Sequence, residues 1–277
     1  VKVVLVKLVT VLKWVLPYGA LLLVQKLKAK RLAARQKSQR SSTAFLPVKS
    51  ITLFLTRTQN RNTASQGGED LLLRAYSNLD QKKDGFYIDI GSFHPVSGSN
   101  TKYFYDLGWS GLNIDPNPDT KADFERLRPR DINLAIGVSD QNSTLDYYYF
   151  GPNKSINTFD AVLAKRFAKD FKLEVKEKMK IPVRAINEVL EENLPKNQTI
   201  DFLTLDVEGF ELRILKAWDF EKYPPSYILV EDINLESPTL NAKDWQALEA
   251  SEQHQFLVSV GYVFKGKTTL TLLYALG

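Results

Sequence analysis

Two patterns of apolar and polar residues run along this chain, and they change over near residue 69. Before it, "VKVVLVKLVTVLKWVLPYGALLLV" is a long apolar stretch interrupted by Lys2, Lys7 and Lys13. At 100° per residue these lysines and Thr10 share one arc of roughly 140°, and Val, Leu and Trp fill the rest of the circumference. That predicts a helix lying in a membrane interface, apolar side down, with a kink at Pro17. "QKLKAKRLAARQKSQR" continues it as a basic helix suited to anionic lipid. A spanning or signal segment, or a helix packed on the protein's own body, are the alternatives. Lys7 and Lys13 break the apolar region of a signal peptide, and no clean A-x-A cleavage site follows. Residues 1–40 are therefore expected to form a basic amphipathic, membrane-associating helical arm. Residues 41–68, rich in Ser, Thr, Gln and Asn, are expected to be a linker with a short strand at "ITLFL".

From residue 69 the pattern alternates between strand-like and helix-like runs. "GFYIDIG", "SGLNIDPNP", "DINLAIGVSD", "STLDYYYF", "IDFLTLDVEG" and "PSYILVED" read as strands. "EDLLLRAYSNL", "SNTKYFYDLGW", "DTKADFERLR", "FDAVLAKRFAKDF", "VRAINEVLEENL", "FELRILKAW" and "NAKDWQALEASEQHQFLVSV" read as helices. "GYVF" and "TTLTLLYAL" close as a hairpin around "KGKT". Strands separated by helices predict an α/β domain over residues 69–277, a mostly parallel sheet covered on both faces, with the hairpin adding an antiparallel strand.

Charge sharpens the division. The net charge is +5, yet all 32 acidic residues lie from Glu69 onward. A basic apolar arm precedes an acidic body, and such an arm suits a membrane surface or nucleic acid. The membrane is the expected partner, with the protein peripheral at the cytoplasmic face; no nucleic-acid partner is expected. There is no cysteine, which excludes a disulfide framework, a thiolate zinc site and a cysteine nucleophile. Two histidines, His94 and His254, argue against a histidine-rich metal site.

Four predicted strands end in acids: Asp89, Asp115, Asp206 and Glu231. In an open parallel sheet, ligands sit beyond the carboxyl ends of the strands at the switch point. Clustered buried carboxylates repel, so a cation, hydroxyl donors or protons must offset them. Any one such acid is more often a helix cap or a loop solvator; four at equivalent positions point to a site. Asp115 follows Asp89 by one β-α-β unit, the place for an acid that accepts both hydroxyls of a ribose. "GSFHPVSG" lacks the G-x-G-x-x-G spacing of a dinucleotide site. The ligand is therefore expected to be a nucleoside without a pyrophosphate. S-Adenosylmethionine fits, because its sulfonium and amino groups favour acidic surroundings.

"YIDIGSFHP", "SNTKYFYDLGWSGLNIDPNP", "NLAIGVSD" and "DFLTLDVEGFELRILK" occur in the order and spacing of the FkbM-type S-adenosylmethionine-dependent methyltransferases, which residues 69–275 resemble. The resemblance implies a Rossmann-like class I methyltransferase with a seven-stranded sheet and an antiparallel last strand. It places Asp89 and Gly91 in the loop around the methionine moiety, with Asn100 and Thr101 nearby. It gives the ribose to Asp115, the adenine to Asn133 and Ala135, and the reacting centre to Asp206 and Glu208. Asp115 departs from the family's usual glutamate, which shortens the reach but keeps the charge.

Methyl transfer to oxygen requires alignment of the acceptor and removal of its proton. The candidate bases are Asp206, Glu208 and His94. His94 titrates in the useful range and follows the cofactor loop; its plain alternative is a hydrogen bond to the loop backbone. For Glu208 the alternative is an acid at a helix N-terminus. A divalent ion on Asp206, Glu208 and Glu231 is a further way to offset the charge, but no metal is expected. "GPNKSINTFD" combines aromatic and amide groups that would suit a sugar acceptor. The expected activity is O-methylation of a hydroxyl, on a sugar of a glycan or glycolipid; the alternative is a non-catalytic nucleoside-binding partner in a glycan-assembly complex. "GYVFKGKT" satisfies the P-loop pattern but begins a β-branched run rather than a helix, so phosphate binding is not expected there.

Overall fold

The computed structural model describes residues 63–277 apart from residues 153, 236, 238 and 239. The expected membrane arm, the "ITLFL" strand and most of the expected linker lie outside the described residues. In chain order the elements are α1 (Glu69–Tyr76), β1 (Phe86–Ile90), α2 (Lys102–Asp106), β2 (Ser110–Ile114), α3 (Lys121–Leu127), β3 (Ile132–Leu134), β4 (Gly137–Ser139) and β5 (Ser143–Tyr149). Then come α4 (Ala161–Asp170), β6 (Glu177–Ala185), α5 (Ile186–Asn193), β7 (Phe202–Leu205), α6 (Glu211–Ala217) and β8 (Tyr227–Glu231). The last four are α7 (Ala242–Ala250), α8 (Glu252–Ser259), β9 (Tyr262–Lys267) and β10 (Thr271–Leu276).

Seven strands form one sheet in the order β3-β2-β1-β7-β8-β10-β9. The pairs among β3, β2, β1, β7 and β8 are parallel, and the last strand, β10, runs antiparallel to both of its neighbours. Every residue of β1 and β7 is buried, the mark of parallel strands covered on both faces. The period of two sorts them. Ile88, Ile90, Leu203, Leu205, Ile228 and Val230 pack with Val189 and Leu190 of α5 and Ile214 and Leu215 of α6. Tyr87, Phe202, Leu229 and Leu273 pack on the other face with Leu73 of α1, Phe104 of α2 and Trp109. The expected α/β architecture, with helices on both faces and an antiparallel last strand, is what forms.

The sequence reading missed a second sheet, β4-β6-β5. "DINLAIGVSD", read as one strand, breaks at Ala135 and Ile136; β3 stays in the main sheet and β4 joins the small one. β6 is hard to see because its outward positions are charged and Pro182 lies inside it. Lys178 and Lys180 both reach Asp146 across the β5–β6 pair, so charge that looks loop-like is a cross-strand contact. "VRAINEVLEENL" accordingly divides, its first three residues closing β6. The long C-terminal helix breaks at Ser251, whose Oγ donates to Asp232 and accepts from His254 N. "GYVFKGKT" lies along β9 and into the hairpin turn rather than opening a helix, and Thr268 Oγ1 donates to Glu69 instead. Among the described residues no helix is long and apolar enough to cross a membrane.

Candidate active site

The strand order reverses about β1: the chain moves outward through β2 and β3, then returns to β7 and β8 on the other side. A crevice opens at such a switch point beyond the strand ends. Register brings the acids there. Ile90 pairs with Ile114 on one side and Leu205 on the other, and Leu205 pairs with Val230. One residue beyond these pairs stand Gly91, Asp115, Asp206 and Glu231, with Asp89 one residue before Ile90. The predicted rim of acids is therefore contiguous across four neighbouring strands.

The cleft between β1, β2, β7 and the small sheet encloses about 900 Å³, counting its open mouth. Asp89, Gly91, Asn100, Asp115, Asp206 and Glu208 line it. Thr101, Asn133, Ala135 and His94 do not. Thr101 is buried behind Asp89 and donates to its Oδ2 at 2.8 Å. Asn133 bonds Asn113 and the Arg128 carbonyl. Ala135 lies outside the cleft, and the wall there is Ile136, Gly137 and Val138. His94 Nδ1 accepts from the backbone N–H of Val96 and Ser97, at 3.0 and 2.9 Å. Tyr147, Lys154, Ser155, Asn157 and Phe159 close the far side. The "GPNKSINTFD" stretch hinted at all of these but Tyr147; Asn117, Phe93 and Thr204 also face the cleft and had no sequence signal beyond lying inside the family motifs.

The loop after β1 is braced from beneath by Arg128, which is fully buried. Its guanidinium donates to the Pro95 carbonyl, Tyr87 Oη, Ser99 Oγ and Thr101 Oγ1. Thr101 passes the brace on to Asp89, and Asn100 Nδ2 donates to Thr204 Oγ1 on β7 at 2.9 Å. No simple motif announces Arg128, because its partners are scattered over the segment from Tyr87 to Thr101. Replacing Thr101 with valine keeps the shape and removes the donor to Asp89. We expect cofactor affinity to fall about tenfold to a hundredfold, the loss of one hydrogen bond to a charged group; isothermal calorimetry reads it.

Asp115 receives Phe93 N–H on Oδ2 and Asn117 N–H on Oδ1, both at 2.8 Å. Each oxygen keeps a lone pair, so the carboxylate can hold two loops and still accept two hydroxyls. Across the cleft, the 206–210 turn is held in an unusual form. Glu208 has φ 52°, a left-handed conformation that is costly for a residue with a side chain. The Thr158 hydroxyl donates to its carbonyl at 2.7 Å, and Glu211 accepts from the N–H groups of Val207 and Gly209.

Burial raises Asp89 to about 7, against the Thr101 hydrogen bond and the Arg128 charge, which lower it; Asp115 and Asp206 add repulsion. Burial likewise raises Asp115 to about 6. Burial pushes Asp206, Glu208 and Glu231 upward as well; Glu69 and Asp115 add to Asp206 against a hydrogen bond with Glu231 that lowers it, and the Asp206 charge adds to the other two. A raised carboxyl gives the folded state more protons than the unfolded one. Its stabilising contribution is complete below pH 3.8 and is lost as pH rises through the folded value, to about 7 for Asp89. For Asp89 alone that is on the order of 4 kcal/mol. The ligand-free melting temperature should therefore fall between pH 5 and pH 8. A cation bound at the rim favours the ionised acids, so S-adenosylmethionine should bind more tightly at pH 8 than at pH 5.5. Thermal melts with and without ligand over that range check both signs.

The donor set suits this cofactor. Asp115 has two free lone pairs for a ribose, and Ile114, Ile136 and Val138 offer an apolar wall beside Asn117 for a base. Asp89 and Asp206 set negative charge where a sulfonium and an ammonium would lie, and Ser92 Oγ is buried without a partner. Fold and cleft together define a Rossmann-like class I methyltransferase. The chain belongs to the FkbM methyltransferase family, whose domain matches residues 89–264, and it is an S-adenosylmethionine-dependent methyltransferase. No curated protein matches it. Among solved structures it is similar to a TehB-like S-adenosylmethionine-dependent methyltransferase from Corynebacterium glutamicum, at 9% identity and a TM-score of 0.36, covering 91% of this chain and 100% of that one. It is also similar to a Klebsiella pneumoniae protein assigned as an O-methyltransferase, at 10% identity and a TM-score of 0.29, covering 88% of this chain and 96% of that one. Likenesses this distant say nothing about the acceptor.

Proposed function

We propose that this methyltransferase acts on an acceptor hydroxyl, on a sugar of a glycan or glycolipid, at a membrane surface where residues 1–40 hold it. The observation that carries the acceptor reading is the far wall of the cleft. Tyr147, Lys154, Ser155 and Asn157 line the same cleft as Asp206 and Glu208, so aromatic, amide and hydroxyl groups share it with two carboxyls. That mixture suits a polyol with an apolar ring face.

S-Adenosylmethionine, when bound, supplies a methyl group on a positively charged sulfur, whose displacement by oxygen leaves a neutral thioether. The chain's part is place and proton. Asp115 takes the ribose, and Gly91 lets the β1 loop lie against β7. Asn100, tied to Thr204, keeps the loop from swinging out. Asp206 and Glu208 are the proposed bases, since both line the cleft; Asp206, raised to about 6, is ionised and poised to take a proton at neutral pH, whereas Glu208, pushed further up by burial and by Asp206, serves only once its own proton has left. His94 is the less favoured base, because its Nδ1 already accepts two backbone N–H groups.

The test is transfer of labelled methyl groups onto glycans, lipid-linked sugars, small alcohols and amines. An O-methyl sugar product is the expected result; transfer confined to amines would end the hydroxyl reading. For the arm, liposome flotation of the full chain should exceed that of a chain lacking residues 1–40, and equal flotation would defeat the membrane proposal.

A further inference from the structure

At the edge of the cleft three carboxyls stand together without an ion-pair partner among the described residues. Leu205 pairs with Val230, so Asp206 and Glu231 leave adjacent strands at the same level. The left-handed turn at Glu208 brings a third carboxyl beside them. One oxygen from each of Asp206, Glu208 and Glu231 lies within 4.8 Å of the others. Among the described residues none of the three makes an ion pair with a lysine or arginine. Glu231 is 6% exposed, and its Oε2 has no hydrogen-bond partner. Glu211, the next acid in the turn, is already occupied by two backbone N–H groups.

A cofactor in the cleft does not account for Glu231. Asp206 and Glu208 line the cleft, whereas Glu231 lines the groove on the other side of the 206–210 turn, with Asp232 and Gln253. A small ion between the three carboxyls reaches all of them. We propose that Asp206, Glu208 and Glu231 form a binding site for a divalent, oxygen-seeking cation such as Mg²⁺ or Mn²⁺. All three ligands are carboxylates, which favours these ions over the softer metals that thiolates and imidazoles select. With three protein ligands the cation keeps positions for water or for an acceptor oxygen. The ion-binding claim stands by itself; only the role of an acceptor oxygen rests on the proposed function, in which Asp206 and Glu208 then hold the ion rather than act as free bases.

The experiment titrates MnCl₂ alone into the full chain, stripped with a chelator and desalted, and reads free Mn²⁺ by electron paramagnetic resonance. The expected result is one saturable ion per chain. Glu231→Gln and Glu208→Gln should each weaken it at least tenfold. Glu208 is on the half-exposed turn, so its variant keeps the test open if the Glu231 variant does not fold. Asp115→Ala should bind Mn²⁺ as the parent does while losing S-adenosylmethionine, which separates this site from the cofactor assignment. No saturable binding up to about 5 mM, a range that covers weak divalent sites, or binding indifferent to both glutamine variants, would overturn the proposal.

Discussion

Asp115→Ala is expected to weaken S-adenosylmethionine binding by about 10²–10⁴-fold, from the loss of two hydrogen bonds to a charged acceptor at about 1.5–3 kcal/mol each. The carboxylate sits at the end of β2, and each oxygen accepts one backbone N–H and keeps one lone pair. The variant thus removes the ribose acceptor and also frees the Phe93 and Asn117 amides from their partner. Asp115→Asn preserves the shape and one acceptor oxygen, so its affinity should fall between the two. Calorimetry on the purified full chain measures all three. An alanine variant within about threefold of the parent, roughly the effect of a single weak contact, would end the ribose assignment.

Gly91→Ala should destabilise the fold itself by several kcal/mol. Gly91 has φ 82°, and a Cβ there would lie 1.6 Å from the Asp206 carbonyl oxygen. The first term is left-handed strain of about 1–3 kcal/mol, and the second is overpacking of similar size. The atom in the way is backbone, and Asp206 N donates to the Ile90 carbonyl at 3.0 Å, so neither loop can retreat without breaking the β1–β7 junction. Urea denaturation should show a lower midpoint, and whatever folded protein remains should bind the cofactor poorly. An unchanged midpoint would mean that the two strand ends do not meet as described.

These effects follow from parts that sequence and tertiary structure supply unequally. The all-apolar runs of β1, β7 and β8, each broken by a terminal acid, were legible, because a strand buried on both faces leaves a near-continuous hydrophobic signature. Asp89, Gly91 and Asp115 could be placed in the cleft for the same reason, since they lie at or just past the strand ends, and Asn100 through the family resemblance. Thr101 sits one residue beyond Asn100 yet turns away from the cleft to hold Asp89. Residue spacing does not tell which way a side chain turns. Ala135 and Ile136 differ by one position and lie on opposite sides of the cleft wall, where the chain passes from one sheet to the other.

By itself, then, the sequence determined the parallel architecture, the acid-tipped strands and the family, since these depend on local periodicity and on short motifs. Only the tertiary structure decided the β4-β6-β5 sheet, the Arg128 brace and the placing of Glu231 in the groove behind the 206–210 turn rather than in the cleft. Each of those joins residues far apart in the chain through register and side-chain direction, and neither is written in the order of apolar and polar positions.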